Sequence, residues 1–298
     1  MNARIFFWGF FVLLFVSFQS LLVTSYNYEH VNVTTRANIT NAAPEILEVL
    51  IDQDITLNAG GIKTIYCNAT IRDWNGWDDL ESVNATFYHS SSFSGDVDNG
   101  NTHYTNASCD FDQLDVGNPY LASAVCSFEV VHYANNGSWS CNVSTKDLYE
   151  AQDFTDWLVN TTSVNELFAL NVTDVIDYGD LAVMDFSLDI PATITNFGNV
   201  DINVSVMGYG EVEGDGLGLV CEEGSDISVE NQRFSLGSGS DWLTMTALSS
   251  SQQDAGLTLL QPTDVTNPVQ SVIYWRLFVP PNPFGECVGT IRFTATMP

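Results

Sequence analysis

Four oxygen-bearing side chains stand close together at Asp73, Asn75, Asp78 and Asp79. Carboxylates and amides at such short spacing can surround one Ca²⁺, with Gly76 allowing the chain to turn between them. The spacing departs from that of an EF-hand loop, and Asn75-Gly76 by itself also accounts for a tight turn. Asp96 with Asp98 and Asp110 with Asp112 are weaker candidates of the same kind. Trp74 and Trp77 flank the same turn and offer either a stacking pair for a sugar ring or a cap on a core. The six cysteines, Cys67, Cys109, Cys126, Cys141, Cys221 and Cys287, are even in number and include no C-x-x-C. That favours three disulfides over thiol chemistry. Asn-x-Ser/Thr sequons occur at Asn32, Asn38, Asn68, Asn84, Asn106, Asn136, Asn142, Asn160, Asn171 and Asn203, each a potential glycan acceptor.

Catalytic arrangements are unconvincing. His30, His89, His103 and His132 show no metal-ligand spacing, and Gly237-Ser238-Gly239 is not a nucleophile elbow. Acidic residues are too plentiful for any pair to signal glycoside hydrolysis. The expectation is a protein that is not an enzyme.

These residues need elements to hold them, and the elements read as strands. Ile65, Cys67, Ala69 and Ile71 alternate on one face, as do Val83, Ala85 and Phe87, then Ala124, Cys126, Phe128 and Val130, then Trp139, Cys141 and Val143. Turn clusters separate them at Asn75-Gly76, Asp98-Asn99-Gly100 and Asn135-Asn136-Gly137. Cys67-Asn68-Ala69-Thr70 and Cys141-Asn142-Val143-Ser144 repeat one pattern, a cysteine followed at once by a sequon. On a strand this turns each cysteine inward and each asparagine, Asn68 and Asn142, out to water. The strand reading pairs Cys67 with Cys141, Cys109 with Cys126 and Cys221 with Cys287, although sequence leaves other connectivities open.

The fold class is all-β, two tandem antiparallel sandwiches. Residues 45–147 form the first and 165–298 the second, joined by a looser, partly helical connector over 148–164. In the second, 192–206 reads as a hairpin, 208–239 as a long loop with short strands, and 271–281 and 289–297 as closing strands. Arg4, the apolar run from Ile5 to Val16 and the small residues before Tyr26 predict a secretory signal peptide over 1–25, with an uncleaved anchor as the alternative. Residues 26–44 are either a flexible extension or an arm that adds a strand to a neighbouring subunit.

Net charge is −29, from 37 acidic and 8 basic residues. Such a surface repels nucleic acid and anionic lipid, which excludes nucleic-acid binding. With 45% apolar residues the chain still has the material for a folded core.

At Cys67 and Cys141, with Gly137-Ser138-Trp139-Ser140-Cys141 leading into the second, the first region resembles immunoglobulin-like domains. The resemblance implies one cysteine on strand B, the other on strand F, and a bridge between sheets; Trp139 stands where such domains usually carry tyrosine. Asp73 to Asp79 followed by Val83-Asn84-Ala85-Thr86 is similar to Ig-like modules of prokaryotic, especially archaeal, surface proteins. Thr195-Asn196-Phe197-Gly198-Asn199 and the ending Gly289-Thr290-Ile291-Arg292-Phe293 resemble CARDB-type adhesion-related sandwiches. Together these imply a secreted or cell-surface structural or adhesion protein, glycosylated, in a filament or surface layer. Its partners would be other surface proteins or copies of itself, and calcium the one cofactor to consider. The alternative is a carbohydrate-binding module.

Overall fold

The computed structural model describes residues 30–154 and 159–298. The leader expected over 1–25 lies outside the described residues. Residues 30–40 carry no helix or strand and are exposed throughout. Asn41–Pro298 forms a compact unit. Among the described residues its regular structure is all strand, apart from three single-turn 3-10 helices.

Nine strands lie before residue 165. They are β1 (Glu45–Ile51), β2 (Ile62–Arg72), β3 (Leu80–His89), β4 (His103–Asn106) and β5 (Asp110–Asp115). Then follow β6 (Asn118–Val131), β7 (Gly137–Asp147), β8 (Gln152–Phe154) and β9 (Asn160–Val164). One sheet has the order β1-β2-β6-β5; the other runs β4-β3-β7, with β8 and β9 both pairing with β7. All these pairings are antiparallel. The alternating residues of β2, β3, β6 and β7 meet between the sheets in one core. Trp139 is buried there, stacked on Phe87 at 4.6 Å, and its indole Nε1 donates to the Asn135 carbonyl at 2.7 Å. A buried donor left unpaired costs roughly 1–3 kcal/mol, so this bond secures the corner that leads into β7.

Cys67 on β2 bridges to Cys141 on β7, one from each sheet. Closing a loop of 74 residues should stabilise by about 4 kcal/mol. Cys109, just before β5, bridges to Cys126 on β6. Cys126 faces Cys67 across the β2–β6 ladder, so the two bridges adjoin in the same core. Among the described residues there is no free cysteine.

The second half contributes β10 (Leu170–Val172), β11 (Ile190–Asn196), β12 (Ile202–Tyr209), β13 (Leu217–Glu223), β14 (Ile227–Ser228) and β15 (Gln232–Ser235). It closes with β16 (Thr246–Ala247), β17 (Gln253–Leu259), β18 (Gln270–Leu277), β19 (Phe284–Val288) and β20 (Thr290–Thr296). A sheet of order β10-β11-β18-β15-β16 and a sheet of order β17-β12-β20 contribute side chains to a second core around Ile194, Ile202, Phe234, Ile273 and Trp275. The remaining strands form β14-β13-β19, where Cys221 and Cys287 face each other and are bridged.

The strands differ from the sequence expectation in two places. Among the described residues of the connector over 148–164 there is no helix: β9 pairs with β7 from Gly137 to Cys141, because Thr162 and Val164 alternate inward and complete the first core. The stretch 192–206 is not a hairpin. β11 pairs with β10 and β18, whereas β12 pairs with β17 and β20, so the chain crosses between sheets. Buried Asn196 and Asn199 hold that crossing by bonding backbone groups at Gly198, Val200, Leu260, Asn165 and Leu167. The segment 208–239, read as a long loop with short strands, does hold short strands, β13, β14 and β15, and these lie in ordered ladders.

The two cores are joined by direct contacts. Gly60 donates to the Phe197 carbonyl at 3.0 Å, and a Cβ at Gly60 would lie 2.3 Å from the Phe197 ring, which makes glycine necessary there. Gln261 Nε2 donates to the Tyr133 carbonyl and to Asn135 Oδ1, each at 2.9 Å.

Candidate functional site

One pole of the first sandwich gathers three chain segments. β2 ends at Arg72 and delivers Asp73, whose N–H still donates to the Tyr120 carbonyl at 2.9 Å. The chain then turns through Asn75 and Gly76 into a 3-10 helix, Trp77–Asp79. β7 ends at Asp147, and Asn41 precedes β1. Asp73, Asp79 and Asp147 each present a carboxylate oxygen within 4.8 Å of the other two.

Asp73 is 1% exposed and Asp147 0% exposed. Their oxygens are not equally satisfied. Asp147 Oδ1 accepts from the N–H groups of Tyr149 and Ala151, both at 2.9 Å, and Oδ2 accepts from Asn41 Nδ2 at 2.6 Å. Asp73 Oδ1 accepts from the Asn75 N–H at 2.8 Å. Asp73 Oδ2, Asp79 Oδ2 and Asn41 Oδ1 are buried with no hydrogen-bond partner among the described residues. Burial is the main force raising the Asp73 carboxyl above its ordinary pKa; the Asn75 N–H opposes it, and the charges of Asp79 and Asp147 add to it. Asp79 is raised in the same way, by burial and then by Asp147 and Asp78.

The two basic residues beside the cluster in sequence are turned away, as alternation along a strand requires. Arg72 pairs with Glu45 and lies over the Trp74 ring. Lys146 pairs with Glu81 at 2.6 Å and Glu150 at 3.3 Å. No ion pair among the described residues reaches Asp73, Asp79 or Asp147.

Of the four oxygen donors singled out in sequence, the structure therefore brings Asp73 and Asp79 together and leaves two outside. Asn75 is exposed, and its Oδ1 accepts the Ala42 N–H at 2.9 Å. Asp78 is exposed. Asp147 comes from distant sequence, but a signal for it exists. Asp73 and Asp147 each stand six residues after a cysteine of the bridged pair Cys67–Cys141. An even offset keeps each aspartate on the inward phase of its strand.

Asp96 is engaged within its own loop by the Ser92 hydroxyl and the Phe93 N–H, which hold its carboxyl below the ordinary range. Asp98 is likewise occupied, by His103 and Thr105, while Asp110 and Asp112 are exposed on β5. Trp74 and Trp77 do not form a pair of equals. Trp77 is half-buried against the first core, whereas Trp74 is 60% exposed, 5.7 Å from the Tyr120 ring.

The sequons divide by burial. Asn32, Asn38, Asn68 and Asn171 are exposed, and Asn84, Asn106, Asn136, Asn160 and Asn203 are half-buried. Asn142 departs from expectation. It does turn to the face opposite Cys141, but that face is covered here and Asn142 is only 8% exposed. Its side chain therefore does not stand in water as the strand phase alone predicted.

No protein-family model and no curated protein sequence matches the chain. Solved structures with some likeness include one from a chaperone–tip adhesin complex of CFA/I fimbriae, 9% identical, with TM-score 0.30, covering 85% of this chain and 83% of that one. Another is a DUF4785 family protein from Legionella pneumophila, 7% identical, TM-score 0.23, covering 83% of this chain and 46% of that one. A third is the C-terminal domain of the Streptococcus agalactiae AgI/II polypeptide BspA, 8% identical, TM-score 0.20, covering 85% and 98%. At these values nothing is carried over from them to this chain.

Proposed function

We propose that this is an exported surface protein that works by contact, as an adhesion or assembly element outside the cell, and not by turnover of a substrate. The observation that carries the reading is the cysteine pattern: all six are bridged, two pairs adjoin inside one core, and such bonds persist in oxidising compartments. The joint at Gly60, Phe197 and Gln261 supports it by making one continuous body of the two sandwiches. The strong negative charge suits a protein kept soluble in a saline exterior. In the filament version the segment 26–44 adds a strand to a neighbouring copy. Exposed Val31, Val33 and Ile39 are the apolar residues it would present.

Protease shaving and immunogold labelling of intact source cells test the reading. Surface label on a fully oxidised chain is the expected result, and an intracellular protein with six free thiols would overturn it. A second reading, glycan binding, rests on exposed Trp74 beside Tyr120 and Arg72, since exposed aromatic rings are the kind of surface that stacks on sugar rings. Trp74→Ala separates the two readings. It abolishes glycan capture under the second and leaves surface attachment unchanged under the first.

A further inference from the structure

The geometry points to a site for one hard divalent cation, Ca²⁺ by preference, formed by Asp73, Asp79 and Asp147 at the pole of the first sandwich. Three acidic residues close together would not by themselves make a site. What marks this one is Asp73, almost fully buried, with Oδ2 unpartnered in a carboxyl group that has an oxygen within 4.8 Å of oxygens of Asp79 and Asp147. Asp79 Oδ2 and Asn41 Oδ1 are unpartnered and buried as well.

Buried charges are ordinarily paired or bound to metal, because a bare carboxylate away from water is strongly disfavoured. Arg72 and Lys146, the nearest candidates in sequence, are committed to Glu45, Glu81 and Glu150. The donors are all oxygens, which selects a hard ion and disfavours the soft transition metals. Flexibility then favours calcium. Ca²⁺ accepts irregular shells of about six to eight oxygens, whereas Mg²⁺ demands a near-ideal octahedron and gives up its waters reluctantly, so oxygens gathered from separate chain segments suit the larger ion. The three carboxylate oxygens fall within 4.8 Å of one another. The Asn41 amide can turn end for end, and with an ion present its oxygen is the group that would face it.

Such an ion would tie together the end of β2, the 3-10 turn, the end of β7 and the residue that leads into β1. Its removal should loosen that pole first.

Calorimetric titration of the full-length oxidised protein with CaCl₂ after chelation, in 150 mM NaCl, is the test. The salt screens the diffuse binding of Ca²⁺ expected from so acidic a surface. One saturable equivalent is expected, with weaker binding of Mg²⁺ and a rise in Tm of about 5 °C at saturation. Asp79→Asn and Asp147→Asn should each weaken that equivalent at least ~10-fold, the size typical of losing a group that supports a metal site. Asp112→Asn, on exposed β5, should change nothing. Asp147 also caps two backbone N–H groups, so if its variant fails to fold, Asp79→Asn decides alone. Unsaturable binding, or the same saturable equivalent in Asp79→Asn as in the parent, overturns the proposal.

Discussion

The two halves of the molecule treat the same residue types in opposite ways. In the first half an inter-sheet disulfide runs through the centre of the core, and acids at the pole are buried with oxygens left over. In the second half the disulfide lies between adjacent strands, with both cysteines half-buried at a satellite cluster. There the exposed Asp215 accepts from the N–H groups of Gly210, Glu211, Val212 and Leu217 at 2.9–3.2 Å. This chain can therefore surround a carboxylate with backbone donors where it needs only structure. That it does not do so at Asp73 and Asp79 is what makes their pole a place for a ligand.

The largest effect expected from breaking this contrast lies in the disulfides. The loops closed span 74 and 66 residues, a difference worth only about 0.1 kcal/mol of chain entropy. Replacing Cys67 and Cys141 by alanine also empties a fully buried layer, so that double variant should lose about 5 kcal/mol against about 4 kcal/mol for Cys221 and Cys287. Denaturant titration of both reads the difference. Equal losses would mean that the first core closes over the gap.

The two deepest tryptophans sharpen the comparison at smaller scale. Trp139 has its Nε1 bonded to Asn135, whereas the Nε1 of Trp275 has no partner among the described residues. Trp139→Phe should therefore cost more than Trp275→Phe, by about 1 kcal/mol, in the same titration.

The smallest effects concern the acids, and they carry opposite signs. In chelated protein Asp73→Asn should raise Tm by about 3 °C, because it removes a buried charge and keeps the bond from Asn75. Asp215→Asn should lower Tm. At Asp215 burial is the largest single influence and raises the carboxyl, but its four N–H donors together outweigh it, and the net shift is downward. A lowered pKa adds stability above the unfolded value of 3.8, and that stability is lost as pH falls through the folded pKa. A raised pKa, as at Asp73, works in reverse: the folded state gains as pH falls through the raised value. Melts between pH 7 and pH 3 should show the benefit of Asp73→Asn shrinking on the acid side. The deficit of Asp215→Asn should persist at pH 5 and vanish below the ordinary carboxylate range.

Strand identity was legible because one buried face imposes period two, and Ile65 to Ile71 or Ala124 to Val130 could hardly be read otherwise. Pairing between strands was less so. Ala192 to Val206 alternates like a hairpin, yet the asparagines at 196 and 199 bond across the bend and send the two strands to different sheets. Thr162 and Val164 were hidden because two inward residues in a short polar segment carry little periodic signal. Two of the three carboxylates, Asp73 and Asp79, were visible as local spacing. Asp147 becomes visible only once Cys67 and Cys141 are joined and positions are counted outward from the bridge. Burial of Asn142 was not legible at all, since phase tells which face a residue occupies and not what covers that face.

The facing of Cys67 and Cys126 across β2 and β6 bears on how the chain matures. A native-like ladder formed before oxidation would set these two thiols side by side, although neither is the other's final partner. Closing the 17-residue loop from Cys109 to Cys126 demands about 1.3 kcal/mol less chain entropy than closing the 74-residue loop. The short bond should form first and take Cys126 out of circulation. Cys67 is then left with Cys141 as the thiol its strand is built to meet. On this account the local bridge acts as a chaperone in cis, guarding the long-range one against its nearest wrong choice.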